Sequence, residues 1–262
     1  MSNLVLRKDS GRICTLTLNR PETLNALNVS LFEELREHVD ALRGQVHEVA
    51  CVIITGAGKA FSAGHDLKDI QKGERPPEPH FQAKTIQALA ELPQPVVACI
   101  RGHCYTGGLE LALAADIIIA ARSAKFGDTH SKWGLSPLWG MTQRLPRRVG
   151  LSKAKQMMFT SDIFTAEVAE RMGLVDMCVD DAELEQATND LAQRIAANST
   201  YSNQANKSLL GATDGMTAQA GLAYELAHSP GACYDARERV ASFGKNDGGH
   251  APRCLRPPSI LC

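Results

Sequence analysis

Apolar runs predict two buried strands in the first half of the chain. Residues 50–55 and 95–100 carry mostly apolar side chains, which is typical of parallel strands whose two faces are both covered. Residues 12–19 alternate polar and apolar positions instead, which predicts a strand near the edge of the sheet. A further strand is predicted over 116–121. These patterns together indicate one sheet with a buried centre.

Helical periodicity fills the segments between these strands. Apolar residues recur at three- and four-residue intervals from Ser30 to Gly44, and Ser30 and Glu33 have the spacing of a capping box. Further helices are predicted over 81–91 and 107–115. The repeated order of strand, loop and helix favours an α/β fold in which helices flank a layered sheet.

The pattern becomes mostly helical after Gly150. Thr165 is expected to start a short helix that ends at Gly173, and Asp181 is expected to cap a longer one. Glycine and proline cluster without periodicity at the end of the chain, which predicts an irregular tail. The predicted parts are a core over 1–195, a helical region over 196–243 and a tail over 244–262.

The charge of the chain argues against some classes of partner. Its 28 Lys and Arg residues nearly balance 29 Asp and Glu residues, so the net charge of -1 gives no reason to expect nucleic acid or an anionic membrane as a partner. Arg144, Arg147 and Arg148 form a local basic cluster, which is either a solvated helix end or a surface that faces phosphates.

The cysteines and the apolar segments bear on the cellular compartment. The eight cysteines include no C-x-x-C pair, and several lie in apolar runs, so reduced thiols are expected. No uncharged apolar stretch is long enough to span a bilayer, and the N-terminus lacks the pattern of a signal peptide. We therefore expect a cytoplasmic protein that does not enter the membrane.

Two glycine-bearing segments follow the buried strands. Residues 61–67 follow the first strand and residues 105–110 follow the second, so both are expected near the carboxyl ends of strands, where open α/β sheets bind ligands. Both segments are suited to aim backbone N–H groups at a ligand oxygen. Two such donors in a dry site stabilise a developing oxyanion by roughly 3 kcal/mol each. The pattern therefore predicts an oxyanion hole.

Glu110 is the candidate acid-base residue. It lies in an otherwise apolar helix start over 109–115, where a carboxylate is either buried beside a substrate or stabilised only by the helix N-terminus. Gly107 and Gly108 lie within one turn of it. An aimed N–H group beside a buried acid favours the catalytic interpretation.

Several nucleotide, hydrolase and metal motifs are incomplete. The phosphate-loop pattern fails because Ile53 and Ala60 occupy its glycine and hydroxyl positions, and Phe61 occupies the last glycine position of a dinucleotide fingerprint. Ala60 also replaces the first glycine of a G-x-S-x-G elbow around Ser62, which leaves a serine hydrolase as an alternative without its full motif. The histidines show no H-x-x-x-H or H-E-x-x-H pairing, so no metal site is expected.

The chain resembles the crotonase, or enoyl-CoA hydratase/isomerase, superfamily over residues 4–243. The resemblance rests on residues 19–21 with 24–28, 53–56 with 60–67, 95–98 with Gly102, 107–116, and 133–135 with 144–145. It implies a ββα spiral core and a C-terminal helical region through which subunits form homotrimers, commonly stacked as dimers of trimers.

The resemblance also implies a site for an acyl-CoA thioester. Backbone N–H groups of His65 and Gly107 would hold the thioester oxygen. The residues expected around the bound CoA ester are Ala26, Leu27, Ala63, Gly64, Asp66 and Leu67. Coenzyme A would enter as part of the substrate, with no separate cofactor. Residues 71–80 and 133–139 are expected to shape the acyl pocket.

The second catalytic position differs from that of the family's hydratases. Those enzymes use two glutamates, the first aligned with Glu110 and the second, twenty residues later, with His130. Three roles stay open from the sequence: His130 transfers the second proton, Asp128 orients it or acts in its place, or His130 only lines the pocket.

The leading hypothesis is an enoyl-CoA hydratase of fatty acid metabolism that adds water to a 2-enoyl-CoA through an enolate-like intermediate. One alternative is an enoyl-CoA isomerase, or another thioester-enolate enzyme, that uses Glu110 alone. A second alternative is a non-catalytic acyl-CoA binder.

Overall fold

The computed structural model describes residues 3–241 of the chain. The predicted tail over 244–262 therefore lies outside the described residues. The chain divides into two compact units, of which the first ends at Asp214 and the second begins at Gly215. The sheets belong to the first unit, and the described part of the second contains two helices. The predicted limits of the parts, at 195 and 243, stay predictions.

Strands and helices alternate through the first unit, as the pattern predicts. The strands are β1 (Val5–Ser10), β2 (Ile13–Leu18), β3 (Cys51–Gly56), β4 (Val96–Ile100), β5 (His103–Tyr105), β6 (Ile117–Ala121), β7 (Lys125–Gly127), β8 (Phe164–Thr165) and β9 (Met177–Val179). The α-helices of this unit are α1 (Val29–Arg43), α2 (Leu67–Lys72), α3 (Phe81–Ala90), α4 (Gly107–Ala112), α5 (Met141–Thr160), α6 (Ala166–Arg171), α7 (Leu184–Ala197) and α8 (Thr200–Thr213). The second unit contains α9 (Ala218–His228) and α10 (Ala236–Ala241). No helix within residues 3–241 is long and apolar enough to cross a membrane.

Six strands form the main sheet, in the order β1-β2-β3-β4-β6-β9. β1 pairs with β2 antiparallel, and the other neighbours are parallel. The four predicted strands are confirmed as β2, β3, β4 and β6. The sequence pattern does not reveal β1, because this edge strand has a single buried residue, Val5, and therefore shows no alternation. A smaller sheet contains β5, β7 and β8.

Both faces of the central strands are covered. Val52 and Ile54 of β3 belong to the large core, which includes side chains from α1 and α3, whereas Cys51 and Ile53 belong to a second cluster with side chains of α7. Successive side chains of a strand point to opposite faces, so a strand covered on both faces needs an unbroken apolar run. The prediction of buried strands is confirmed for this physical reason.

The first helix begins one residue before the predicted cap. Asn28 is the N-cap of α1, since its side-chain oxygen accepts a hydrogen bond from the Leu31 N–H group at 3.0 Å. Ser30 and Glu33 lie inside the helix, whose first residue is Val29. The predicted capping box is therefore wrong.

The caps of two later helices give one confirmation and one correction. Thr165 caps α6, as predicted, by accepting a hydrogen bond from the Val168 N–H group. Asp181 does not cap α7, which begins at Leu184. Its carboxylate accepts a hydrogen bond from the Ser123 N–H group at 3.0 Å instead, so it fastens the loop before β7.

The cysteines of the described part behave as small apolar residues. All six are free, and four of them are buried. Burial raises the pKa of the Cys14 and Cys51 thiols to about 12, so both stay protonated at neutral pH.

Asn25 joins the turn after β2 to the loop after β3. Its backbone has a φ of +54°, and it is fully buried. The side-chain amide donates to the carbonyl oxygens of Ala57 and Ala60 at 2.9 and 2.8 Å, and the side-chain oxygen accepts from the Arg20 N–H group at 2.8 Å. The Ser62 hydroxyl donates to the Asn25 carbonyl at 2.8 Å. This network fixes the segment that leads into the first glycine loop.

Replacement of Asn25 by alanine should destabilise the fold. Asn25→Ala leaves the Arg20 N–H group and two carbonyls without these partners and places alanine at a positive φ. We expect the free energy of unfolding to fall by about 2–4 kcal/mol in urea titration. Asn19→Ala removes one exposed hydrogen bond to the Asn3 carbonyl and should change it by less than about 1 kcal/mol. Equal losses in the two variants would contradict the role given to Asn25.

Candidate active site

The loop after β3 and the start of α4 lie side by side. The Ser62 N–H group donates to the His103 carbonyl at 2.9 Å, and the Tyr105 N–H group donates to the Ser62 carbonyl at 3.1 Å. A Cβ atom built on Gly107 would lie 3.2 Å from the His65 nitrogen, so the two backbone amides are neighbours. Neither amide donates a hydrogen bond within residues 3–241. The structure therefore brings together the two predicted oxyanion donors.

Glycine is required where these segments touch. Gly64 has a φ of +100°, and a Cβ atom there would lie 2.8 Å from the Tyr105 carbonyl oxygen. A Cβ atom on Gly108 would lie 2.7 Å from the Ser62 carbonyl oxygen, closer than carbon and oxygen normally approach. This close approach of two backbones explains the glycines that the sequence pattern singles out.

Glu110 projects from the first turn of α4 into the interior. Its side chain is 1% exposed. Oε1 accepts hydrogen bonds from the N–H groups of Trp139 and Met141 at 2.9 and 3.1 Å, and Oε2 lies 3.8 Å from His130 Nε2. Burial raises the pKa of the carboxyl by more than the two hydrogen bonds and the nearby imidazole lower it. A carboxyl with a raised pKa beside a cavity is suited to proton transfer.

His130 lies between two carboxyl groups. Its Nδ1 is 2.5 Å from Asp128 Oδ1, while its Nε2 faces Glu110. An ionised carboxylate only accepts hydrogen bonds, so Asp128 keeps a ring proton on Nδ1 and leaves Nε2 for the cavity. Asp128 is 1% exposed, and its Oδ2 has no hydrogen-bond partner within the described residues. The three groups form one buried chain of carboxylate, imidazole and carboxylate.

Trp139 packs against the proposed donors from the side. Its indole is buried, with its centroid 4.6 Å from that of the His65 ring and 5.1 Å from that of Phe32. Arg144 donates to the Trp139 carbonyl at 2.8 Å, and burial lowers the pKa of this guanidinium. No motif in the sequence points to these contacts, because they join segments that are distant along the chain.

The basic cluster after Trp139 is committed to partners within the chain. Arg147 pairs with Asp214 at 2.6 Å, and Arg148 pairs with Asp176 at 2.9 Å. The third arginine binds a backbone carbonyl beside the site. The interpretation of this cluster as a phosphate-facing surface is therefore not favoured.

A further carboxyl group, Glu74, reaches the site from the segment between α2 and α3. Residues 73–80 of this segment form neither helix nor strand, as their prolines predict. Glu74 Oε2 lies 2.7 Å from His65 Nε2. Its Oε1 is buried and has no hydrogen-bond partner in the part of the chain that the structure describes. The sequence predicts that residues 71–80 shape the acyl pocket, and Glu74 lines the cavity, but no spacing in the sequence singles out this carboxyl group.

The site opens into a cavity of about 570 Å³. The predicted site residues that line it are Ala63, His65, Leu67, Gly107, Glu110 and His130. The remaining predicted residues, Ala26, Leu27, Gly64 and Asp66, are not part of this lining. Asp66 pairs with Arg20 at 3.0 Å and accepts from the Lys68 N–H group at 3.1 Å, so its carboxylate has partners within the fold. The predicted contacts of these four residues with a CoA ester stay predictions.

Replacement of Glu110 by glutamine should stabilise the fold at neutral pH. Glutamine keeps an oxygen for the Trp139 and Met141 N–H groups and removes a buried charge. Because the pKa is raised in the folded state, the native carboxyl holds its proton over a pH range in which the unfolded one has lost it. Wild-type stability therefore falls as the pH rises above the ordinary value of 4.5, and Glu110→Gln should lack this fall.

Thermal unfolding between about pH 4 and about pH 8 measures this effect. The melting temperature of Glu110→Gln minus that of the wild type should be smallest at the acidic end and should grow with pH. Glu33→Gln, at an exposed position of α1, is the matched control and should show no growing difference. A difference for Glu110→Gln that shrinks as the pH rises would contradict the raised pKa.

Known proteins share this sequence and fold. A model of the family described as enoyl-CoA hydratase/isomerase matches residues 8–243. A probable peroxisomal enoyl-CoA hydratase 1 of Arabidopsis thaliana is 33% identical over 98% of this chain and 96% of that protein. A 1,2-epoxyphenylacetyl-CoA isomerase of Escherichia coli is 33% identical over 93% of this chain and 96% of that protein.

Solved structures agree with the predicted crotonase fold. The crystal structure of an enoyl-CoA hydratase from Bacillus anthracis has a TM-score of 0.87 and 31% identity, and the match covers 93% of this chain and 96% of that chain. The predicted α/β fold and the predicted resemblance are confirmed. The chain belongs to the enoyl-CoA hydratase/isomerase family.

Proposed function

We propose that the protein is an enoyl-CoA hydratase that adds water to a 2-enoyl-CoA thioester. The observation that carries the proposal is a pair of backbone amides, at His65 and Gly107, that no hydrogen bond within residues 3–241 uses and that share a cavity with Glu110 and His130. Such donors suit the oxygen of a thioester enolate, which bears negative charge. The relatives named above as hydratases support the same reaction.

The thioester oxygen accepts hydrogen bonds from the His65 and Gly107 N–H groups. Electron density of the conjugated double bond then moves toward this oxygen as water attacks the β-carbon. Each donor contributes roughly 3 kcal/mol to the stability of the enolate-like transition state, because the donors are already oriented.

Glu110 and His130 divide the two proton transfers. The 3.8 Å between Glu110 Oε2 and His130 Nε2 leaves room for one water oxygen hydrogen-bonded to both atoms. Glu110 takes a proton from this water while the water oxygen bonds to the β-carbon. His130, protonated at Nε2, donates that proton to the α-carbon and so converts the enolate into the 3-hydroxyacyl thioester.

Neighbouring groups keep the acid and the base in position. Asp128 stabilises the imidazolium form of His130, while the Trp139 and Met141 N–H groups hold Oε1 of Glu110 and leave Oε2 for water. At the end of the cycle Glu110 carries the proton and His130 is neutral. Transfer of this proton from the carboxyl to the imidazole restores both groups, so no other reactant is needed.

A double-bond isomerase is the second candidate function. The replacement of the hydratases' second glutamate by His130 favours it, since one carboxylate, Glu110, can take a proton from one carbon and return it to another. The Escherichia coli relative named as an isomerase has an identity similar to that of the hydratase relative.

We further propose that the chain forms a homotrimer or a dimer of trimers and works in the cytoplasm. The trimer follows from the family resemblance. Leu210 of α8, and Leu222 and Leu226 of α9, are each more than half exposed, which supports contacts between copies. The cytoplasmic location rests on the sequence pattern alone.

Mixing the purified protein with crotonyl-CoA should abolish the absorbance of the conjugated thioester and give a product heavier by one water. This result supports the hydratase. Conversion of 3-butenoyl-CoA into crotonyl-CoA without a change of mass would support the isomerase instead. Binding of both thioesters without any conversion would contradict both reactions and support a binder.

Glu110→Gln is the matched variant for this assay, because it keeps the buried hydrogen bonds and lacks the proton acceptor. We expect kcat to fall by about 10²- to 10⁴-fold, while the Kd for butyryl-CoA stays within about twofold. Turnover like that of the wild type would exclude Glu110 as the base.

Asp128→Asn should lower kcat through His130. The amide of asparagine can donate to Nδ1 and no longer stabilises a charged ring, so fewer molecules carry the proton that the α-carbon needs. We expect a loss of at least about 10-fold. KM should change little, because Asp128 does not line the cavity.

A double-mutant cycle separates this positioning role from a general loss of structure. In the His130→Ala background, Asp128→Asn should have almost no further effect on kcat. If Asp128→Asn causes the same loss with and without His130, the carboxylate does not act through the imidazole.

A further inference from the structure

Trp139 separates the active-site cavity from a second cavity. The first cavity, of about 570 Å³, contains the two backbone donors and Glu110. The second, of about 580 Å³, lies between α3 and the start of α5. Trp139 and Leu138 line both cavities. Leu138 is 71% exposed whereas Trp139 is buried, so the indole forms the inner part of the wall between them.

The indole lies beside the expected position of the thioester carbonyl. A Cβ atom on Gly107 would lie 2.5 Å from Cζ3 of Trp139, and the His65 ring centroid is 4.6 Å from that of the indole. Both residues that supply the donors therefore contact the same ring. If these donors bind the thioester carbonyl, the first carbons of the attached acyl chain lie next to the indole.

Several contacts keep the ring in this position. The edge-to-face contact with Phe32, which is fully buried, fixes one side of the indole. The Trp139 backbone is held at both ends, since its N–H group donates to Glu110 and its carbonyl accepts from Arg144. Rotation of the indole out of the wall would break packing with the core, so the wall is part of the resting structure.

We propose that Trp139 determines acyl-chain specificity and restricts the enzyme to short acyl groups. This inference rests on the proposed acyl-CoA function. A crotonyl group starts beside the indole and fits within the first cavity, whereas a dodecenoyl group that continues past the ring needs the space that the indole occupies. Removal of the indole joins the two cavities and opens that space to a long chain.

The test compares short and long thioesters in the wild type and in Trp139→Ala. This variant keeps the backbone N–H group that holds Glu110. Trp139→Phe, which removes less volume, serves if the alanine variant does not fold. Phe159→Ala truncates an exposed aromatic residue that lines neither cavity and is the matched control.

We expect the wild type to prefer crotonyl-CoA over trans-2-dodecenoyl-CoA by at least about 10-fold in kcat/KM. Trp139→Ala should reduce this preference at least about 10-fold, and Phe159→Ala should leave it unchanged. Equal use of both substrates by the wild type would overturn the proposal. An unchanged preference in folded Trp139→Ala, or in Trp139→Phe where only that variant folds, would overturn it as well.

Calorimetric Kd values for butyryl-CoA and dodecanoyl-CoA provide a readout that does not need turnover. The wild type should bind butyryl-CoA more tightly than dodecanoyl-CoA, and Trp139→Ala should narrow or reverse the difference. If no enoyl-CoA is converted but the Kd values follow this pattern, the proposed reaction fails while the role of Trp139 stands. If crotonyl-CoA is hydrated but the Kd values show no effect of the variant, the specificity proposal fails alone.

Discussion

The hydrogen bonds from two backbone amides to Oε1 of Glu110 are the interaction on which the rest of the site depends. They hold a buried carboxyl in one orientation, although burial alone would favour its neutral form. With Oε1 fixed, Oε2 points to His130, whose other nitrogen is fixed in turn by Asp128. The same bonds join the start of α4 to the start of α5, so helix packing and the proposed proton transfer depend on one contact.

The proposed oxyanion donors are backbone rather than side-chain groups, and the fold explains why they converge. Strands β3 and β4 are parallel, so their carboxyl ends lie at the same edge of the sheet. The short strand β5 then places the start of α4 against the loop that follows β3. Gly64 and Gly108 allow the two backbones to approach closely, and Asn25 fixes the segment that leads to Gly64. The donors are therefore oriented before any ligand binds, which is the condition for electrostatic stabilisation of an enolate.

Much of the fold could be predicted because its causes lie in neighbouring residues of the sequence. The features that could not be predicted depend on contacts between distant segments. The apolar run of β3 is required because both faces of the sheet are covered, and the glycines are required because two backbone segments approach closely. Both features can therefore be predicted from the sequence. Asn28 and Ser30 are both residue types that favour the N-cap of a helix, and only the backbone geometry shows that Asn28 is the N-cap of α1. The contacts of Glu74 and Trp139 with His65 depend on which segments meet in space, and no spacing in the sequence encodes that.

Exchange of the α-hydrogens of butyryl-CoA with deuterium oxide tests most directly whether this site stabilises a thioester enolate. The saturated thioester cannot be hydrated, so exchange requires only the oxyanion donors and a base. We expect the wild type to add deuterium to the acyl group, measured by mass, and His130→Ala to do so at least about 100-fold more slowly, because His130 is the group proposed to transfer the α-proton. Butyryl-CoA that binds to the wild type and shows no exchange would contradict an enolate-stabilising site.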